Sequence, residues 1–126
     1  MRAADSNILI RIVTGDDAGQ TEVADRFIEK GAWVSTLAVA ETAWVLRTAY
    51  RKNAAEVAAA VRMLINHEHL VLQDSDAVEA ALELFQSRPA LGFSDCLILH
   101  LARKAGHLPL GTFDRGLGRV EGAHKL

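Results

Sequence analysis

"ADSNILIRIVTG", residues 4–15, admits two structures for the N-terminus. Its apolar run Ile8, Leu9, Ile10, Ile12 and Val13 is rich in β-branched side chains and suits a strand, whereas Asp5-Ser6-Asn7 is a cluster of helix N-cap residues. If a helix starts there, the strand before it shrinks to residues 2 to 5. The residues alone leave both open. They also raise the question of why a carboxylate, Asp5, stands at the edge of an apolar element.

Working outward, apolar periodicity is clearest in two segments. Val57, Val61, Leu64 and Ile65 recur at helical spacing in "NAAEVAAAVRMLINHE", and Val78, Ala81, Leu82 and Phe85 do so in "SDAVEAALELFQSR". "AGQTEVADRFIEKG" places Val23, Phe27 and Ile28 on one face, with Gly31 as its stop. "TLAVAETAWVLRTAY" and "DCLILHLARKAG" are apolar on most sides, as centrally packed helices are, and Gly106 ends the second. Three short apolar runs, 32–35, 70–73 and 108–113, read as buried strands. Strands alternating with helices predict an α/β fold, a sandwich around a short, mostly parallel sheet.

The 126 residues predict a single domain, 1–126, able to bury about two thirds of its unfolded surface. Half the residues are apolar and the charges mix both signs, as in globular proteins. No apolar run approaches the roughly 18 residues of a membrane span, and no leader-like N-terminus is seen, so a cytoplasmic protein is expected. The lone Cys96 fits a reducing compartment. A formal charge of −2 argues against gripping nucleic acid by bulk positive charge, but not against a protein that carries cations locally.

Four acids stand out. In open parallel sheets ligands bind where strands hand over to helices, and both Asp5 and Asp114, in "GTFDRGLGR", take such positions. Glu41 is the only charge between Lys30 and Arg47, and a carboxylate buried in such surroundings wants a metal, a cation or a hydrogen-bond donor. Asp95 falls in the first turn of the most apolar helix, where Ser94 or Asp95 is a natural cap. Gathered together, four carboxylates are the oxygen ligands that Mg²⁺ or Mn²⁺ requires. Taken singly, Asp5, Asp95 and Asp114 also read as caps or turn residues, and Glu41, the hardest of the four to read so, as a partly exposed side chain or a partner of Arg47 or Arg51.

"RAADSNILIRIVTGDD", "VAETAWVLRTAY", "GFSDCLILHLARKAG" and "LPLGTFDRGLGRVEG", in this order and spacing, resemble the PIN-domain ribonucleases, most of all the VapC-type toxins of bacterial toxin–antitoxin modules. The resemblance implies a three-layer α/β/α sandwich and makes residues 7–15 the first helix. It implies an acidic metal site of Asp5, Glu41, Asp95 and Asp114, with Asn7 and Thr112 as polar supporters. Cys96 stands where the family more often has Ala, and Gly111 precedes the T-F-D triplet; neither removes an acid.

The resemblance further implies RNA hydrolysis by a metal-activated water, leaving 3′-hydroxyl and 5′-phosphate ends, with Mg²⁺ or Mn²⁺ as cofactor, a cognate antitoxin as partner and a homodimer as assembly. Asp5 and Asp95 are expected to make the main metal position, completed by Glu41, while Asp114 holds a second ion or orients the water. Arg47, Arg51 and Lys52, and separately Arg115 and Arg119, are candidates for steering the phosphate backbone, against solvated surface as the plain alternative. Trp33 and Trp44 are expected in the core. "HEH" at 67–69 lacks a third metal ligand, His100 reads as a core or edge residue, and Cys96 has no cation to make it a nucleophile. The rival classes are a receiver-type phosphoacceptor, an aspartyl-phosphate hydrolase and a non-catalytic interaction domain. The first wants paired acids after the first strand and a Lys after a late one. The second wants an acid where Asn7 stands, and the third has no need of four acids.

Overall fold

The computed structural model describes all 126 residues and is α/β, with seven helices and every strand pairing parallel. The chain forms two compact units, Met1–Ser75 and Asp76–Leu126.

In the first unit the order is β1 (Arg2–Ala3), α1 (Ser6–Thr14), α2 (Ala18–Ile28), β2 (Ala32–Val34), α3 (Thr36–Thr48), α4 (Ala54–Asn66) and β3 (Leu70–Leu72). The three strands form one sheet in the order β1-β2-β3, with Arg2 opposite Ala32 and Ala32 opposite Leu70. The N-terminal ambiguity resolves as a helix, because the cap at its start is real. Asp5 adopts the extended backbone of an N-cap, and Gly15 closes the other end in the left-handed region, φ 61°, which a residue without Cβ enters freely. The strand before it retains only Arg2 and Ala3.

Leu9, Ile28, Val34, Val39, Leu46, Val57, Val61 and Leu64 are almost wholly buried and make the core of this unit. At the far end of α1 the Asp16 carboxylate accepts from Arg11 at 2.9 Å, Thr14 at 2.8 Å and the Tyr50 hydroxyl at 2.7 Å. These bonds tie the α1–α2 turn to the end of α3. They hold the Asp16 carboxyl below its usual range, the Tyr50 bond contributing most.

The second unit runs α5 (Ser75–Ser87, entered from the last residue of the first), α6 (Phe93–Ala105), β4 (Leu110–Thr112), α7 (Arg115–Gly118) and β5 (Ala123–Lys125). β4 and β5 pair parallel, with Thr112 opposite Lys125. Val78, Ala81, Leu82 and Phe85 are all buried, as their spacing predicts, and Phe85 meets Phe93 edge-on at 6.0 Å.

Several expectations need correction. α2 ends at Ile28 with Glu29 as its C-cap, two residues before Gly31, and Val23 is 64% exposed rather than packed inward. α3, apolar on most sides, is not centrally packed: it buries Val39, Thr42, Ala43 and Leu46 but exposes Leu37 and Trp44. Trp44 is 63% exposed and Trp33 38%, so neither is a core tryptophan; β2 alternates, burying Ala32 and Val34 and turning Trp33 outward.

Candidate active site

In the first unit the structure joins Asp5 and Glu41 through one residue. Asp5 caps α1 by accepting from the Ser6 backbone N–H at Oδ1, 2.7 Å away. The nearly buried Ser6 hydroxyl donates to Glu41 Oε1 at 2.6 Å. Ser6 thus holds two carboxylates at once, a role its reading as a cap residue misses. Glu41 is placed by the start of α3, where the Ser35 hydroxyl caps the helix by accepting from Ala38 N at 3.0 Å. Of the two environments open to it, Glu41 takes the exposed one, and it is the adjacent Thr42 hydroxyl that is buried, donating to Ala38 O at 2.8 Å. Exposed Asn7 follows Ser6 and lines a groove with Ile8, Arg11, Gln20 and Val23.

The second unit brings Asp95 and Asp114 into electrostatic contact. Asp95 sits in the first turn of α6, but the N-cap is Gly92 and no side chain makes a capping hydrogen bond, so the cap reading of Ser94 and Asp95 fails. The Asp95 carboxyl is pushed above the usual carboxylate range, first by partial burial and then by the negative charge of Asp114. Asp114 is exposed and caps α7, accepting from Leu117 N at Oδ2, 2.7 Å away. Its own backbone N–H donates to Thr112 Oγ1 at 3.0 Å, so Thr112 fixes the backbone that carries the acid.

The cap reading is therefore true of Asp5 and Asp114 without exhausting them, since each cap uses a single carboxylate oxygen. In neither unit do three His, Cys, Asp or Glu side chains form a group able to hold a metal ion alone. The donor chemistry nevertheless fits a hard divalent cation: all the groups are carboxylate oxygens, and Asp95 and Asp114 repel one another in a way that a cation relieves.

The candidate steering residues divide. Arg47 Nη1 donates to Lys52 O at 3.4 Å and Lys52 faces Glu56 at 3.8 Å, so both are engaged at the turn between α3 and α4, where exposed Arg51 takes a left-handed φ of 54°. Arg115 and Arg119 are exposed at the two ends of α7, Arg115 next to Asp114 and Arg119 as the C-cap. Lys125, opposite Thr112 in the β4–β5 ladder, joins them; sequence spacing gave no signal for it, because the strand that carries it is three residues long.

The remaining candidates are quiet. His67 Nδ1 accepts from the His69 backbone at 3.1 Å, which engages one of its ring nitrogens. Burial and Arg103 lower the His100 pKa against an opposing pull from Glu83, and Cys96 is fully buried with its thiol pushed up to about 11, by burial and then by Asp95. No helix is long and apolar enough to cross a membrane.

No curated protein and no solved structure matches the chain. A family model described as the PIN domain does, over residues 3–123, spanning both acid pairs and nearly the whole length. The chain belongs to the PIN-domain family, whose members are in general nucleases that hydrolyse phosphodiester bonds.

Proposed function

We propose that the chain is a metal-dependent endoribonuclease, the VapC-type toxin of a type II toxin–antitoxin module. In this reading residues 1–126 are one PIN domain that acts in the cytoplasm as a homodimer and is restrained by a cognate antitoxin. The observation that carries it is Asp95: a carboxylate at a helix start with no capping duty, partly buried, and raised further by a second acid. A carboxylate kept in such surroundings is of the kind that gathers where a cation or a substrate binds.

Asp5, Glu41, Asp95 and Asp114 would hold Mg²⁺ or Mn²⁺. When bound, the cation lowers the pKa of a coordinated water and offsets charge on the phosphoryl oxygens. The residues do the positioning. Ser6 fixes Asp5 through its backbone and Glu41 through its hydroxyl, so that neither side chain has to be ordered when RNA arrives. Asp114, its backbone held by Thr112 and one oxygen committed to α7, keeps the other free to orient the attacking water. Arg115 and Arg119 draw the phosphate backbone toward that acid. Exposed Leu37 and Trp44 on α3 support a protein partner.

The test is purified protein incubated with total RNA, with and without Mg²⁺ or Mn²⁺. Cleavage to 5′-phosphate ends is expected only with the cation, and is expected to be abolished by EDTA and by Asp5→Asn. Cleavage that survives both sinks the reading.

A further inference from the structure

The chain has four phenylalanines, and three are occupied: Phe85 and Phe93 pack on one another, and Phe27 carries the Arg2 guanidinium 4.0 Å from its ring centre. The fourth, Phe113, is 81% exposed with neither ring nor cation against it, and it immediately precedes Asp114. We infer that Phe113 is the platform on which one unpaired base of the RNA substrate stacks, beside the Asp114 carboxylate. The inference rests on the ribonuclease reading and adds to it a residue that holds the substrate.

Three observations favour a base as the occupant. The platform is held on both sides: Leu126 N donates to Thr112 O at 2.9 Å, Asp114 N to Thr112 Oγ1 at 3.0 Å, and Asp114 starts α7. A fixed backbone presents the ring without loss of loop entropy. Its chain neighbours Thr112, Asp114 and Arg115 are polar or charged, and Lys125, which also donates to Leu126 O at 3.4 Å, lies opposite Thr112 in the ladder; two exposed cations this close suit a nucleotide whose base stacks while its phosphates meet them. Trp44 is the contrast: it shares the exposed face of α3 with Leu37, seven residues earlier and 73% exposed, an apolar pair of the kind a protein partner covers.

Stacking needs a π-face, whereas a protein contact needs only apolar bulk, and this separates the two. In an Asp95→Asn background, which keeps RNA intact, affinity for a fluorescent single-stranded RNA is read by anisotropy. Phe113→Leu is expected to weaken binding by about five- to 150-fold, Phe113→Trp to restore it, and Trp44→Leu to leave it unchanged. Abasic scanning is expected to find one position whose base matters to the parent and not to Phe113→Leu. Parent-like binding by Phe113→Leu, or a change confined to oligomeric state, overturns the inference while cation-dependent cleavage still upholds the ribonuclease reading. Absence of both RNA binding and cleavage in the parent overturns the two together.

Discussion

Asp95 holds its proton more tightly than a free aspartate because folding removes part of its hydration and sets Asp114 nearby. Between the ordinary value of 3.8 and its raised folded value, the folded chain binds more protons at this site than the unfolded chain does. Its contribution to stability therefore falls as pH rises through that window, and above it the charged pair weighs against the fold. Asp95→Asn is expected to raise the melting temperature of the cation-free protein by a few degrees near neutral pH, with the gain vanishing below the ordinary value; calorimetry at the two pH values decides. The same variant is expected to lose cleavage by more than about a hundredfold. Ser6→Ala keeps every acid but frees Glu41, and is expected to weaken cation affinity and activity by about 10- to 100-fold with little change in fold, measured by titration calorimetry and RNA cleavage.

At the scale of elements, α1 is the part on which the first unit depends. Leu9 is fully buried in it, and Leu9→Ala is expected to cost about 2–5 kcal/mol in denaturant unfolding. α7 is held differently: a Cβ added at Gly118 would lie 2.7 Å from Lys125 Cβ, so Gly118→Ala pushes α7 away from β5. That substitution is expected to destabilise by about 1–3 kcal/mol and to reduce cleavage as well, since α7 carries Asp114 at its start.

Which elements were legible follows from their length. α4 and α5 repeat their apolar face often enough for periodicity to identify them, whereas α7 and β5, four and three residues long, leave no period to read. α1 was ambiguous because nine residues rich in β-branched side chains satisfy both templates, and its cap residues became decisive only with the family resemblance. The acids were visible as charges in apolar surroundings. The buried reading of Glu41 came from taking α3, apolar on most sides, as centrally packed, when an exposed Trp44 and a buried Thr42 reverse the inference from composition. Nothing along the chain announces the Ser6–Glu41 bond, which spans 35 residues.

For the molecule as a whole, a cation bound by the folded chain and not by the unfolded one must stabilise it in proportion to occupancy. Millimolar Mg²⁺ or Mn²⁺ is accordingly expected to raise the melting temperature of the parent and not of an Asp5→Asn/Asp95→Asn double variant; equal shifts in both would point to nonspecific ion effects. The single buried thiol offers a finer clock for the same event. Cys96 follows Asp95 directly and is shielded and protonated at neutral pH, so an alkylating reagent reaches it only during rare openings of α6. Its labelling half-life, read by mass spectrometry on an otherwise unlabelled chain, counts those openings. An ion that grips Asp95 would slow the clock, reporting occupancy from one residue away with no RNA present.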